Sequence, residues 1–135
     1  MNVLVSIVIP FYNEESYIGE CLQSIVDQSY LPDLIEVIVV DGNSTDKSMS
    51  IVQKYIKILP HLTQLMNPQK ITPISLNIGV MSASGEIIVI LSAHSFVHSD
   101  FIKNSVLALD EGDAVCVGGP IENIGSSYIG KAIAL

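Results

Sequence analysis

The sequence predicts an α/β domain with a mainly parallel sheet and flanking helices. Short apolar runs rich in β-branched residues alternate along the 135-residue chain with segments of roughly 10 to 15 residues whose apolar side chains recur at helical spacing. This alternation is typical of βαβ units, in which helices connect parallel strands and cover the sheet. Polar residues also follow the first two strands directly, at the edge where open parallel sheets bind ligands.

The first predicted unit is a strand followed by a helix. Residues 3–9 form a short, apolar, β-branched run that is expected to be a buried strand. Asn13 is expected to cap the helix, with Glu14 and Glu15 in its first turn, where carboxylates are favourable. Apolar side chains at helical spacing extend this helix to about Gln28.

The second unit repeats the order of strand, polar turn and helix. Residues 35–40 are expected to be a second buried strand, and Ser44 or Thr45 is expected to cap the helix that Pro60 ends. The inward-facing side of this helix is predicted to comprise Ile51, Val52, Tyr55, Ile56 and Leu59.

Three further strands are predicted at residues 62–66, 86–91 and 114–117. Thr72, followed by proline at the first helical position, is expected to cap the helix between the first two of these strands, and Gly85 is expected just past its end. Ser99 and Asp100 are expected to start the last helix. The side chains expected to face inward from these two helices are Ile74, Ile78, Met81, Ile102, Val106 and Leu109.

The composition excludes two classes of partner. The chain is 49% hydrophobic and 15% charged, which is typical of a globular protein, and its net charge is −8 with no arginine. Binding of nucleic acid or of anionic lipid through a basic surface is therefore not expected. A bound pyrophosphate would need positive charge from a metal ion, from helix N-termini or from further sequence.

The cysteines and the apolar runs indicate a cytoplasmic chain. Cys21 and Cys116 are far apart and form no CxxC pair, so both are expected to be buried thiols in a reducing compartment. The apolar runs are about six residues long, against the ~20 that span a bilayer, and the N-terminus lacks the basic region of a secretory leader.

Asp41 marks the predicted ligand site. It closes the second strand and opens the turn Gly42–Asp46, so its carboxylate is expected at the mouth of the sheet, where it can accept hydrogen bonds from a base or a ribose. The first strand also ends in polar residues, which makes a nucleotide pocket the leading hypothesis. The alternative role for Asp41 is a turn or capping acid.

Three segments together resemble the motifs of the inverting family 2 glycosyltransferases. They are Val5–Glu14, Val39–Asp46, and Asn77–Gly79 with Ala83–Ile88. They occur in the family's order and cover almost the whole chain. The run Leu76–Gly79 and the pair Ala93 and His94 look most like the branch of succinoglycan-type polysaccharide glycosyltransferases.

The resemblance implies a GT-A, Rossmann-like fold and roles for particular residues. Pro10, Tyr12 and Glu14 would line the nucleotide pocket, Asp41 would bind the base or ribose, and Asn77 would reach the pocket from its helix. The alternatives are a helix-entry loop for Tyr12 and Glu14 and a purely local role for Asn77. Gly42 stands where the family has a second acidic residue and is expected to adopt a positive φ.

The resemblance also raises the question of a metal site. The family's strand at this point normally ends in Asp-x-Asp, which holds a divalent ion such as Mn²⁺ or Mg²⁺, whereas this sequence has Ser92-Ala93-His94. His94 and Ser92 are the candidate ligands, and a hydrogen-bonded loop histidine is the alternative. Leu76 stands where many relatives have an arginine for the diphosphate. Lys70 is a candidate phosphate contact or a solvated loop lysine.

The function implied by the resemblance is sugar transfer. Residues 1–135 would be the nucleotide-sugar-binding N-terminal part of a GT-A domain whose acceptor part and catalytic base lie further along the chain. The protein would move a sugar, foremost from a UDP-sugar, to a saccharide or lipid-linked acceptor in polysaccharide biosynthesis, with inversion. We expect it in the cytoplasm, where sequence beyond residue 135 could hold it at the inner face of the membrane.

Other classes of function are weighed against sugar transfer. A non-catalytic relative that binds nucleotide or a partner is the main alternative, because Ser92 replaces a carboxylate. A dehydrogenase or a nucleotidyltransferase is disfavoured because no GxGxxG follows the first strand and no glycine-rich basic loop is present. A flavodoxin-like interaction domain would leave the polar strand ends unexplained. Edge strands without a neighbour could pair two copies, which makes a homodimer a further hypothesis.

Overall fold

The computed structural model describes residues 2–124 and shows a sheet of four parallel strands in the order β3-β2-β1-β4. The strands are β1 Val5–Phe11, β2 Ile35–Asp41, β3 Leu62–Met66 and β4 Ile87–Ile90. The helices are α1 Ile18–Val26, α2 Ser48–Tyr55, α3 Thr72–Ser82 and α4 Phe101–Glu111, and a short 3₁₀ helix spans Pro32–Leu34. The predicted α/β class with a mainly parallel sheet is confirmed.

The sheet is covered on both faces, and this explains why β1 and β2 are apolar over most of their length. Alternate β1 residues such as Ile7 and Ile9 pack in one core with buried side chains of α1, α2 and α4. On the other face, α3 lies so close that a Cβ added at Gly79 would overlap the side chain of Val8. Central parallel strands are buried on both sides, so they read as continuous apolar runs.

The helix starts differ from those predicted. α1 begins at Ile18 and α2 at Ser48, and neither is capped by the polar residue predicted for it. Asn13 instead has a φ of 51° and binds the loop after β2, while Asp46 Oδ1 accepts the backbone N–H of Ser48 at 2.9 Å. Polar residues after each strand therefore tie the two loops together before either helix begins.

The buried side of α3 was predicted incorrectly at one position. Ile74 and Ile78 are half-buried as expected, but Met81 is exposed, and the residues that face the sheet are Ser75 and Gly79. Close packing on the sheet requires small side chains, which a search for large apolar residues misses.

Gly85 is not a left-handed helix end, since no described glycine has a positive φ. α3 ends at Ser82, and a Cβ at Gly85 would lie 2.6 Å from Ser6 Oγ and 2.7 Å from the Ser6 backbone nitrogen. A glycine is therefore needed here for close approach of two backbone segments rather than for its torsion angles.

The predicted fifth strand is absent from the described residues. Residues 114–117 form no strand, and Val115 is 99% exposed. An apolar run becomes a strand only where a neighbouring strand offers hydrogen bonds, and this one has no such neighbour in the part of the chain that the structure describes.

The two cysteines differ in exposure. Cys116 is exposed, contrary to prediction, whereas Cys21 is buried, and its burial and the nearby Glu14 raise the pKa of the thiol to about 12. No helix within residues 2–124 has the length and apolar composition needed to span a bilayer.

Candidate functional site

A cleft of about 380 Å³ opens at the carboxyl ends of β1 and β4, beside the first turns of α3. This is the predicted edge of the sheet. Its lining comprises Pro10, Phe11, Tyr12, Glu14, Gly42, Lys70, Thr72, Ser75, Leu76 and residues 90–94. The cleft therefore combines residues from four segments of the chain around the end of β1.

The loops after β1 and β2 are joined by side-chain hydrogen bonds. Asn13 Oδ1 accepts the backbone N–H of Thr45 at 2.8 Å, and the Asn13 N–H donates to Ser44 Oγ at 2.9 Å. The Glu14 N–H donates to Ser48 Oγ at 2.8 Å. These bonds fix the loop that carries Tyr12 and Glu14, so both side chains project from a pre-organised backbone.

Asp41 is 1% exposed and folds back on its own turn. Its Oδ1 accepts hydrogen bonds from the Ser44 N–H at 2.9 Å and the Ser44 hydroxyl at 2.6 Å. Asp41 thus serves its own turn here, and its contact with a base or ribose stays a prediction. Gly42, rather than Asp41, lines the cleft beside it.

The positive φ predicted for Gly42 lies one residue later, at Asn43, where φ is 65°. At Gly42 a Cβ would lie 3.3 Å from Tyr12 Cβ and 3.6 Å from Lys70 Cα. The glycine therefore lets three loops meet at the floor of the cleft.

Tyr12 and Lys70 form one wall of the cleft. The Tyr12 side chain is 44% exposed, and the Lys70 ammonium lies 5.1 Å from the centroid of its ring, which is within cation–π range. A half-exposed aromatic ring at the end of β1 offers a flat surface for a base.

Glu14, Ser92 and His94 meet between the ends of β1 and β4. His94 Nδ1 lies 3.2 Å from Glu14 Oε1, and Ser92 Oγ lies 3.1 Å from His94 Nε2. The His94 side chain is 63% exposed and that of Glu14 22%, so solvent screens the pair and its contribution to stability is small.

Buried groups on α1 and just after its end hold the loop that carries His94. We call Cys21, Ser24 and Gln28 the α1 clamp. Ser24 Oγ accepts the Val97 N–H at 3.2 Å, and Cys21 Sγ lies 3.6 Å from the Ser92 carbonyl oxygen. Gln28 donates to the His98 carbonyl at 2.8 Å and accepts the Ile102 N–H at 3.0 Å. The two residues of a contact such as Ser24 with Val97 lie more than 70 positions apart, so helical periodicity does not indicate these bonds.

Comparison with known proteins gives the family. The profile of "Glycosyl transferase family 2" matches residues 6–133. The chain belongs to glycosyl transferase family 2.

Two relatives of similar sequence have the names of different sugar transferases. A dolichyl N-acetyl-alpha-D-glucosaminyl phosphate 3-beta-D-2,3-diacetamido-2,3-dideoxy-beta-D-glucuronosyltransferase of Methanococcus voltae is 31% identical over 139 residues, covering 96% of this chain and 43% of that protein. The poly(ribitol-phosphate) beta-N-acetylglucosaminyltransferase TarS of Staphylococcus aureus is 31% identical over 78% of this chain and 19% of TarS. The chain spans less than half the length of either relative.

Solved structures confirm the GT-A fold. Residues 1–349 of S. aureus TarS align with a TM-score of 0.77 and 26% identity over 89% of this chain and 39% of that one. The mannosyltransferase PcManGT from Pyrobaculum calidifontis, in complex with GDP-Man and Mn²⁺, aligns with a TM-score of 0.72 and 34% identity over 77% of this chain and 31% of that one. Compared with the similarity to these relatives, the resemblance to the succinoglycan-type branch is minor.

The structure brings together most of the site residues predicted for a family 2 enzyme. Pro10, Tyr12, Glu14, Ser92 and His94 all line the cleft. Asn77 does not: it is exposed on α3, whose cleft-facing residues are Thr72, Ser75 and Leu76. These three share one side of the helix at three- and four-residue spacing, and Asn77 lies about 100° round the helix from Leu76.

The donor set suits a metal ion only in part. The described residues contain no cluster of three or more His, Cys, Asp or Glu side chains that could hold a metal ion. Glu14, Ser92 and His94 nevertheless offer a carboxylate, a hydroxyl and an imidazole, which Mn²⁺ tolerates. Metal ions at phosphate sites are commonly bound by one or two protein carboxylates and by phosphate oxygens. These residues therefore fit a site in which the phosphates of the ligand complete the coordination of the metal ion.

Proposed function

We propose that residues 1–135 form the nucleotide-sugar-binding part of the GT-A domain of a glycosyltransferase. The intact protein moves a sugar from a nucleotide-sugar donor to a saccharide or lipid-linked acceptor in glycan or polysaccharide biosynthesis, with inversion. The observation that carries the proposal is the cleft at the ends of β1 and β4, which collects Tyr12, Glu14 and His94 in a chain of this family. This class of function agrees with the names of its relatives.

The donor is foremost a UDP-sugar. TarS structures of this fold are described with UDP and with UDP-GlcNAc, whereas the PcManGT structure contains GDP-Man. The exposed ring of Tyr12 supports stacking with the base. Asp41 contacts the base or ribose through a lone pair not used by Ser44, and because Asp41 is 1% exposed, this contact requires the Ser44 turn to shift.

The cofactor is a divalent ion, Mn²⁺ or Mg²⁺, with His94 and Ser92 as ligands and Glu14 beside them. Support comes from the 3.2 Å approach of His94 to Glu14 and from the Mn²⁺ in the PcManGT structure. When bound, the ion supplies Lewis-acid stabilisation of the charge that develops on the leaving phosphate. The side chains of the cleft orient the donor. Hydrogen bonds between the loops after β1 and β2 hold Tyr12 and Glu14 in place.

A carboxylate that deprotonates the acceptor hydroxyl is needed for inversion. Glu14, the one carboxylate that lines the described cleft, faces His94 and is assigned to the metal and the donor instead. We therefore assign no described residue as the base, and the acceptor site belongs to sequence other than the four-stranded sheet.

A second candidate function is nucleotide binding without catalysis. It is favoured by Ser92, which stands where a carboxylate would bind a metal more strongly. Transfer of a radiolabelled sugar to an acceptor by the full-length protein would exclude this candidate.

Calorimetric titration of the chain with UDP, GDP and dTDP, each with and without Mn²⁺, tests the proposal. We expect one nucleotide to bind more tightly with Mn²⁺, and His94→Ala to remove the metal dependence while retaining binding without metal. His98→Ala is the matched control, since His98 is exposed and lies outside the cleft lining. Failure of all three nucleotides to bind contradicts the proposed function, and binding without any metal effect contradicts the metal site alone.

A further inference from the structure

The cleft needs positive charge if it is to hold a diphosphate, and few side chains can supply it. The sequence has no arginine, and position 76 on the cleft side of α3 is leucine. The charged residues of the cleft lining are Glu14, Lys70 and His94. Among them, Lys70 is the lysine, whose ammonium group is a compact point charge suited to binding phosphate.

The backbone of Lys70 is held in an unusual conformation. Its φ is 59°, in the left-handed region that non-glycine residues other than Asn and Asp rarely occupy. The Lys70 N–H donates to the Asn67 carbonyl at 3.2 Å, which closes the turn. Strained backbone of this kind persists only where the surroundings enforce it, and it is common at ligand sites.

Asn67 enforces the conformation of this loop. Its side chain is buried and makes three hydrogen bonds: Nδ2 donates to the Ile71 carbonyl and to Ser75 Oγ, each at 3.0 Å, and Oδ1 accepts the Gln69 N–H at 3.1 Å. The Asn67 N–H donates to the Asp41 carbonyl at 2.7 Å, which anchors the loop to the end of β2. The loop is thus locked from both ends, and Lys70 is presented to the cleft from a fixed position.

The ammonium group of Lys70 is available to a ligand. It lies over the ring of Tyr12, and neither ion pair formed by the described residues includes it. The loop leads directly into α3, whose N-cap has no side-chain hydrogen bond and whose first turn has no acidic residue. The positive end of the helix dipole therefore adds to the charge of Lys70.

We propose that Lys70 binds the diphosphate of the nucleotide donor, supplying from the loop between β3 and α3 the charge that an arginine on α3 would otherwise supply. This inference rests on the proposed function. In a competing role, Lys70 only covers Tyr12 or the base. That role predicts that a substitution of Lys70 lowers affinity equally for ligands with and without phosphate.

Paired substitutions separate charge from backbone strain. Lys70→Asn removes the ammonium but retains a residue that tolerates the left-handed conformation, so the variant is expected to fold with unchanged or higher thermal stability. Lys70→Arg retains the charge. Lys103→Met, on the exposed side of α4, is the control for loss of one positive charge elsewhere.

Each protein is titrated calorimetrically with UDP, UMP and uridine, and with the guanosine and thymidine series if GDP or dTDP is the nucleotide that binds. We expect Lys70→Asn to lower affinity for the diphosphate about tenfold, as for loss of one charge-assisted hydrogen bond, and to change affinity for the nucleoside less than about twofold. Binding of the diphosphate should also become less sensitive to salt. Lys70→Arg and Lys103→Met should bind like the unsubstituted chain.

Two results overturn the role of Lys70. One is a Lys70→Asn variant that binds the diphosphate as tightly as the unsubstituted chain. The other is an equal loss for diphosphate and nucleoside, which places Lys70 at the base. If the unsubstituted chain binds no nucleotide, the proposed function itself fails. If it binds nucleotide but one of these two results is found, only the role of Lys70 fails, so the two failures are distinguishable.

Discussion

At the scale of single residues, polar side chains at the amino ends of the strands connect segments that the sheet alone would leave apart. Glu36 faces Ser6 across the β1–β2 pair, and Glu36 Oε2 accepts the Ser6 hydroxyl and the Ser84 N–H. Ser6 Oγ in turn accepts the Gly85 N–H at 2.8 Å. This chain of bonds places the start of β4 beside β1, and it lies at the end of the sheet opposite the cleft.

The ionisation of Glu36 should make stability depend on pH. Partial burial alone would raise the pKa of Glu36, but hydrogen bonds from Ser6 and Ser84, with His61 nearby, lower it overall below its usual 4.5. A carboxyl with a lowered folded pKa stabilises the protein above its unfolded pKa and loses this effect as pH falls through the folded pKa.

We therefore expect Glu36→Gln to destabilise the protein at pH 7, and the difference from the unsubstituted chain to shrink as pH falls below about 4.5. Urea denaturation at a series of pH values measures it. Glu20→Gln, on the exposed side of α1, is the control and should show little difference at pH 7. A constant difference across the pH series would contradict the argument.

At the scale of elements, α1 does more than cover the sheet. The α1 clamp binds the backbone of the segment from Ser92 to Ile102, which contains His94 and the start of α4. A backbone N–H buried in this segment would otherwise lack a partner, since it belongs to neither a strand nor the interior of a helix. The helix after β1 thus fixes the loop after β4.

Gln28→Leu tests this coupling. The substitution leaves the Ile102 N–H and the His98 carbonyl without their bonds, which should cost about 1–3 kcal/mol in the free energy of unfolding. Amide hydrogen exchange at Ile102 should accelerate. Gln69→Leu replaces an exposed glutamine whose side chain makes no hydrogen bond with the described residues, and it should change stability by less than about 0.5 kcal/mol. Equal effects of the two substitutions would show that Gln28 has no special role.

At the scale of the whole molecule, β4 is an edge of the sheet formed by the described residues. It pairs with β1 on one side, and no other described strand pairs with its second side. Ile88 and Ile90 of β4 are partly exposed. An edge strand with apolar side chains can pair with another copy, so the homodimer remains a prediction.

Light scattering at increasing concentration tests the dimer. We expect the chain to form a dimer at high concentration and Ile88→Lys to shift it towards monomer, because a charged side chain on an edge strand opposes pairing. Ile56→Lys replaces a similarly exposed residue at the end of α2 and should leave the dimer intact. A chain that stays monomeric at every concentration would exclude pairing through β4.

The sequence by itself determined the order of four strands and four helices along the chain and the edge of the sheet at which the cleft lies. Periodicity and turn residues are local properties, so they can be read without the fold. The motifs around Tyr12, Asp41 and Asn77 also sufficed to indicate the family. The false fifth strand at residues 114–117 shows the limit, because pairing depends on a distant neighbour.

Only the tertiary structure decided which side chains meet. Glu14 and His94 are 80 residues apart, and Gln28 and Ile102 are 74 apart, so no local pattern predicts either contact. Tyr12 and Lys70 come together because Gly42 allows three loops to approach, and Asp41 is buried because its own turn satisfies it. Sheet order and close packing set these distances, and both depend on the whole chain folding at once.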